Sequence, residues 1–236
     1  MSNKESKGEM VRGMFNDIAP TYDRLNHILS FDIDKLWRKR VVRAVRKLGA
    51  KHIMDMATGT GDLAIALAKG IEGSTIYGAD FSSEMLAVAK QKIENLDLAE
   101  CISLTECNAE AIPLGDEAVD AATIAFGVRN FEHQREALTE IKRTIRKGGH
   151  IIVLEFSNPK SAFVRWCYHL YSHRILPAIG RMVSKHATAY TYLPTSIDQF
   201  ASPEAFSALL EEVGFTNVVR KSQSLGVAHI YIAQKL

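Results

Sequence analysis

The sequence predicts an α/β fold: a mostly parallel, seven-stranded sheet with helices on both faces, ending in an antiparallel hairpin. Three observations predict it. From residue 52 to about 156, short apolar runs alternate with segments of helical periodicity, as in a parallel sheet buried on both faces. The glycine-containing stretch "DMATGTGDLA", residues 55–64, joins the first apolar run to the first following helix. Two apolar runs in "TNVVRKSQSLGVAHIYIAQK" meet around Leu225–Gly226, which reads as a hairpin at the sheet edge.

The elements follow in order. Residues 1–8 are polar and expected to be disordered. Residues 9–50 form a helical cap, with Val11, Met14, Phe15 and Ile18, then Leu36, Trp37, Val41, Val42 and Val45, at helical spacing. Between them lies the breaker-rich, aromatic "APTYDRLNHILSFDIDKLW". "HIMDMA" is a strand and "LAIALAKG" a helix ending at Gly70; "STIYGAD" is a strand, and "SSEMLAVAKQKIENL" a helix capped by Ser82 or Ser83. "CISLTEC" and "AVDAATIAF" are the third and fourth strands, "REALTEIKRTIRKGG" a helix closed by glycine, and "HIIVLEF" the fifth strand. Residues 160–200, aromatic, basic and His-containing, break the alternation and read as an inserted helical lid. "SPEAFSALLEEVGF" is then a helix with Ser202 as N-cap, Pro203 at its first position and Gly214 at its end.

Composition narrows the function classes. The chain has 236 residues, 47% hydrophobic and 24% charged, with a net charge of +2. That balance gives no bulk electrostatic case for nucleic acid. Cys101, Cys107 and Cys167 contain no C-x-x-C pair, which argues against a disulfide framework or a zinc site and fits a reducing compartment. The start "MSNKESKGEM" lacks the apolar core of a secretory signal. No apolar run approaches the roughly 18 residues of a membrane span. A cytoplasmic protein organised as one domain over residues 9–236 is expected.

A ligand in such a sheet sits beyond the carboxyl ends of the strands. At the first end, Asp55 precedes Gly59, Thr60 and Gly61, where backbone N–H groups and a helix N-terminus can approach a ligand. Asp80 ends the second strand, nineteen residues after Gly61, where a carboxylate takes ribose hydroxyls. At the third, Asn108 faces the place of an adenine amine and Ala109 leaves room for the ring. The three ends converge on one nucleoside. Two ligands fit. Gly59-x-Gly61-x-x-Ala64 satisfies the relaxed dinucleotide pattern, so NAD is one. S-adenosylmethionine is the other, with Asp55 placed to hold its amino group.

The motifs "DMATGTGDLA", "GADFSSEML", "NAEAIPLGDEAVDAATIAFGVRNF" and "IRKGGHIIVLEFSNP" resemble class I (Rossmann-like) S-adenosylmethionine-dependent methyltransferases, and more narrowly the ubiquinone/menaquinone biosynthesis C-methyltransferases. "YDRLNHILSFDIDKLW" is similar to that family's Y-D-x-M-N-x-x-[LIVM]-S-x-x-x-H-x-x-W signature: Tyr22, Asp23, Asn26, Leu29, Ser30 and Trp37 match, while Leu25 replaces the methionine and Asp34 the histidine. "RTIRKGGHIIVLEFS", Arg143 to Ser157, carries the second signature, with Thr144 in place of valine. Ala57 stands where many methyltransferases have the first glycine.

The resemblance implies methyl transfer to a ring carbon of a polyprenylated quinol, demethylmenaquinol before a benzoquinol, with Thr60, Asp80, Asn108 and Ala109 as cofactor positions. The sulfonium methyl is electrophilic, so no metal is needed. The ring carbon becomes nucleophilic when its neighbouring hydroxyl ionises, which favours a base or a cation beside it. Arg129, in "FGVRN", is the candidate cation; Tyr22 packs on or bonds to the ring and Asn26 assists. His169 and His173 stand at i, i+4 spacing but have no third ligand. Phe163, Trp166, Tyr168, Tyr171 and Leu176, interleaved with Arg165, Arg174 and Arg181, suit peripheral contact with the inner membrane face or a lid over a tail groove. Rivals are a methyltransferase acting on a soluble acceptor, an NAD-dependent oxidoreductase and a non-catalytic nucleoside-binding module. The oligomeric state, a homodimer included, stays open.

Overall fold

A computed structural model of the chain describes residues 7–23, 30, 32–170 and 187–236. Helices α1 (Lys7–Ile18) and α2 (Ile33–Lys47) precede β1 (His52–Met56), α3 (Asp62–Gly70), β2 (Thr75–Asp80), α4 (Ser83–Asn95), β3 (Ile102–Glu106) and β4 (Val119–Ala125). Then come α5 (Gln134–Thr144), β5 (Ile145–Phe156), α6 (Ala162–Leu170), α7 (Ala187–Gln199), α8 (Pro203–Glu212), β6 (Thr216–Gln223) and β7 (Ala228–Gln234). The sheet order is β3-β2-β1-β4-β5-β7-β6. β1 through β5 pair in parallel, and β7 runs antiparallel to both β5 and β6. The C-terminal hairpin therefore enters the sheet edge with its second strand innermost.

The period-2 alternation of each strand divides its side chains between two cores. On β5, Ile152 and Leu154 join Trp37, Val41 and Val45 of α2 and Leu63 and Leu67 of α3. Ile151 and Val153 face the other way, onto Leu138 and Ile141 of α5 and Phe206 and Leu210 of α8. Both faces are covered, which is why the strands read as nearly unbroken apolar runs. Capping follows the sequence: the Ser82 hydroxyl accepts from the Met85 amide, and that of Ser202 from the Ala205 amide, with Pro203 opening α8.

Two boundaries differ from expectation. α1 begins at Lys7, inside the stretch expected to be disordered, and the Gly8 amide donates to Glu132 at 3.3 Å. α5 does not run to the paired glycines; it ends at Thr144 and β5 begins at once. Ile145 pairs with Val119, and the register shifts before His150 pairs with Ala121. Gly148 and Gly149 form that irregularity. Gly148 is left-handed at φ +76°, and a Cβ on Gly149 would lie 2.5 Å from the Asp120 carbonyl. The glycines kink a strand rather than close a helix. Of the segment expected to be a lid, α6 and α7 are described; residues 171–186, and with them Tyr171, His173, Arg174, Leu176 and Arg181, lie outside the described residues. So does Asn26.

Candidate active site

The chain leaves β3 at one side of the sheet and resumes at β4 on the far side of β1, so β1 and β4 flank the topological switch point. A cavity of about 540 Å³ opens there, at the carboxyl ends of β1 to β4.

The glycine loop forms its floor. Thr58 donates its amide to the Ala79 carbonyl at 3.0 Å, and the Gly61 amide returns to Thr58 at 2.9 Å. Gly59 and Gly61 are left-handed, at φ +57° and +81°. A Cβ on Gly59 would meet nothing within 4 Å, so a ligand can approach this backbone closely. At Gly61 the Ala89 side chain would lie 3.2 Å away, so this glycine serves the packing of α3 on α4. Ala57 is also left-handed, at φ +55°, a strained conformation for alanine that costs about 1–3 kcal/mol. Opposite it, a Cβ on Gly127 would come within 2.4 Å of the Ala57 Cβ. The two loops touch, and Gly127 is what lets them.

The cofactor candidates divide. Gly59, Asp80, Asn108 and Ala109 line the cavity. Asp80 is buried; one of its carboxylate oxygens accepts from the Gly59 amide at 2.8 Å, the other from the Ser82 amide at 3.0 Å. Burial pushes its pKa up to about 6 against the pull of those amides. Asn108 accepts the Glu110 amide at 3.1 Å, making a tight turn, and its carbonyl oxygen keeps a second lone pair for an amine.

Asp55 does not stand in the cavity wall. It is 1% exposed, and its two oxygens accept the hydroxyls of Thr58 at 2.7 Å and Thr123 at 2.6 Å. Desolvation raises its pKa to about 6. Its place is beneath the loop, which these bonds brace. Thr60 likewise donates to Asp23 of the cap. Asp23 also accepts from Lys92 at 2.6 Å, and Lys92 reaches Asp62 at 2.5 Å. Arg38 continues the chain, lying 3.3 Å from Asp62 and paired with Asp34. Asp34, where the signature has histidine, is buried and accepts the Ser30 hydroxyl at 2.5 Å. The signature segment is thus tied at both ends to the cofactor loop.

Aromatic rings line another part of the cavity. Tyr22 lines the cavity and meets Phe15 edge to face, ring centroids 6.0 Å apart. Phe126, Asn130 and Phe131 line it too. Phe126 is left-handed at φ +59° and stacks on Phe156 at 4.4 Å, with Trp37 6.1 Å away. Trp37, the last residue of the signature, therefore backs a wall of the cavity.

Arg129 is not among the lining residues. Its guanidinium is buried against Glu155 at 2.7 Å and donates to the Phe126 carbonyl at 2.5 Å. Its charge is met within the protein, so the expected direct partnership with a phenolate gives way to a place behind the wall. Sequence reasoning passed over Phe126, Asn130 and Phe131, although all three lie in the quoted "AFGVRNF". It gave Phe15 only as an apolar position of the cap helix, whereas Phe15 lines the cavity. Among the described residues no group of three or more His, Cys, Asp or Glu is set to hold a metal.

This topology and this site define a Rossmann-like S-adenosylmethionine-dependent methyltransferase. Solved structures agree on the fold: a methyltransferase of that class from Aquifex aeolicus superposes with TM-score 0.60 at 18% identity over 82% of this chain and 88% of that one. One from Methanococcus maripaludis gives 0.62 at 19% identity over 100% of this chain and 95% of its own. The chain belongs to the ubiE/COQ5 methyltransferase family, whose model matches residues 1–235. It is 41% identical to the ubiquinone/menaquinone biosynthesis C-methyltransferase UbiE of Geobacter sulfurreducens, over 97% of this chain and 90% of that protein. It is 42% identical to the demethylmenaquinone methyltransferase of Thermus thermophilus, over 94% of this chain and all of that protein. It is an S-adenosylmethionine-dependent C-methyltransferase, and the oxidoreductase reading falls away.

Proposed function

We propose that this chain methylates a ring carbon of a polyprenylated quinol, with demethylmenaquinol as acceptor. The observation that carries the reading is one cavity lined by two chemically distinct groups of residues. Gly59, Asp80, Asn108 and Ala109, the nucleoside candidates, line it together with the aromatic Tyr22, Phe126 and Phe131 and with Asn130. The cofactor fits the first group. The open backbone at Gly59 admits close approach, the Asp80 carboxylate suits ribose hydroxyls, and Asn108 and Ala109 suit adenine. When bound, S-adenosylmethionine supplies an electrophilic methyl group on a sulfonium.

The protein's own residues hold and activate the acceptor. The rings of Tyr22, Phe126 and Phe131 flank a planar head group and exclude water, which strengthens every polar contact inside. The Asn130 carboxamide meets the hydroxyl whose ionisation makes the ring carbon nucleophilic. Arg129 holds the Phe126 carbonyl, and so the strained turn of that wall, from behind. Asn26 of the signature segment, which lies outside the described residues, is proposed to assist. Thr60 fastens the cofactor loop to Asp23, and Gly61 keeps α3 against α4.

The membrane surface supplies the acceptor. No described helix is long and apolar enough to cross a membrane. On α6, Phe163, Trp166 and Leu170 share one face at i, i+3 and i+7 and are 74%, 63% and 44% exposed. Arg165 adds a cation to the same helix. Shallow insertion of this face beside anionic headgroups fits such a pattern.

The test uses the purified enzyme, S-adenosylmethionine and a panel of reduced acceptors: tailed demethylnaphthoquinol, tailed benzoquinol and a tail-less naphthoquinol head group. The reading predicts ring-carbon methylation of the tailed naphthoquinol with the highest kcat/KM. It also predicts flotation with vesicles of phosphatidylglycerol and phosphatidylethanolamine, lost in the double substitution Phe163→Ser, Trp166→Ser. Cofactor binding without any methylated quinol contradicts the acceptor assignment; equal flotation of the double variant contradicts the membrane face.

A further inference from the structure

α7 of the insertion makes two side-chain bonds to consecutive residues of the active-site turn. The Tyr192 hydroxyl donates to Asn130 Oδ1 at 3.1 Å. One helical turn later, Ser196 Oγ accepts from Arg129 Nε at 3.3 Å, and itself donates to the Leu193 carbonyl at 2.8 Å. Residues 192 and 196 stand at i and i+4 and so face the same way. Arg129 and Asn130 belong to the short 3-10 turn Val128–Asn130, whose last amide bonds back to Gly127 at 3.0 Å. The turn is fixed from its own backbone; α7 adds one bond to each of its last two side chains, Arg129 being held by Glu155 and the Phe126 carbonyl as well.

We propose that Tyr192 is a positioning residue: by holding the carbonyl end of the Asn130 carboxamide, it turns the amide donor toward the acceptor in the cavity. A carboxamide has a donor end and an acceptor end. Which end meets the quinol decides what it does there. The acceptor end would hold the proton on the hydroxyl and keep the ring neutral. The donor end stabilises the oxyanion and makes the neighbouring ring carbon nucleophilic. With Oδ1 engaged by Tyr192, the Nδ2 group has no partner among the described residues and is the end left for the cavity that Asn130 lines.

Tyr192 is suited to be the fixed donor. It is half-buried, and desolvation raises its pKa against the nearby charge of Arg129, so the phenol keeps its proton at neutral pH. The insertion thus sets the polarity of an active-site group. The inference rests on the quinol C-methylation proposed above.

The test is Tyr192→Phe, which removes one oxygen and keeps the ring. With reduced demethylnaphthoquinol, kcat falls by about tenfold, the loss expected for one orienting hydrogen bond. The rising limb of the kcat–pH profile moves to higher pH, because the ring hydroxyl ionises with less help. S-adenosylmethionine affinity by calorimetry stays within about twofold. Asn130→Ala costs on the order of 100-fold, and adding Tyr192→Phe to it costs almost nothing further.

Three results overturn the proposal: a Tyr192→Phe variant with wild-type kcat and pH profile; a loss that is undiminished in the Asn130→Ala background; or a loss that follows cofactor affinity and melting temperature, which is a purely structural role. If the wild-type enzyme binds S-adenosylmethionine but methylates no quinol, the functional reading falls and takes this inference with it. That outcome is separate from the other three, which presuppose an active wild type.

Discussion

Asp80 and Asp55 carry the electrostatics of the cofactor site. Both are buried, and burial raises each pKa to about 6. The sign of the linkage follows from proton counts. Between about pH 4, where such carboxyls titrate in an unfolded chain, and about pH 6, the folded protein binds more protons than the unfolded one. Stability of the ligand-free enzyme from these two groups therefore falls as pH rises through that window. Cofactor binding runs the other way if Asp80 holds the ribose as proposed, because only the ionised carboxylate accepts two hydroxyls. S-adenosylmethionine affinity should fall about tenfold between pH 7 and pH 5, because the ionised fraction of Asp80 drops by about that factor when its pKa is about 6. Asp80→Asn should weaken binding by about 1.5–3 kcal/mol, the range for hydrogen bonds to a charged group, and flatten much of that pH dependence. Calorimetric titration of both proteins across the range checks it. Affinity independent of pH in the wild type removes Asp80 from the role. The same scale explains Asp34. The signature's histidine is replaced by a carboxylate that pairs with Arg38, one helical turn on, and accepts from Ser30, so the substitution builds an anchor.

At the scale of elements, the cap acts on the cofactor loop through charge. Asp23 at the end of the first helical stretch, Lys92 on α4 and Asp62 at the start of α3 form a relay that Arg38 and Asp34 extend to α2. Asp23 and Lys92 side chains are each 27% exposed, so the pair is partly screened and worth less than a fully buried one. Its value lies in what it joins: Tyr22 in the acceptor wall is the neighbour of Asp23, and Thr60 in the cofactor loop donates to Asp23. Asp23→Asn and Lys92→Met should each lower kcat/KM for the quinol several-fold. Their effects should couple by about 0.5–1.5 kcal/mol in a double-mutant cycle. Strict additivity, or single effects confined to melting temperature, contradicts a link between cap and site.

For the whole molecule, the fold was legible because parallel strands buried on both faces leave continuous apolar runs, and because Ser82, Ser202 and Pro203 mark helix starts chemically. That Gly59, Asp80, Asn108 and Ala109 line one cavity was legible for a related reason: each lies at or just beyond a strand end, and strand ends converge by topology. What local pattern could not convey was direction and partnership. Asp55 is the right residue type at the right strand end, yet Thr58 and Thr123 turn it inward. Arg129 is a cation in the right loop, yet Glu155, 26 residues away in sequence, claims it. The aromatic wall was hidden because Phe15 and Phe126 have the spacing of core residues, and Tyr192 because its bond to Asn130 spans 62 residues. The paired glycines were read as a helix stop because glycine ends helices more often than it kinks strands. The central claim is that a reduced aromatic ring, held in this cavity, is the methyl acceptor. The most direct test is transfer of labelled methyl from S-adenosylmethionine to detergent-dispersed demethylmenaquinone, with and without dithionite. The account predicts ring-methylated product only in the reduced sample. Equal transfer to the oxidised quinone, or none to either with cofactor bound, would contradict it.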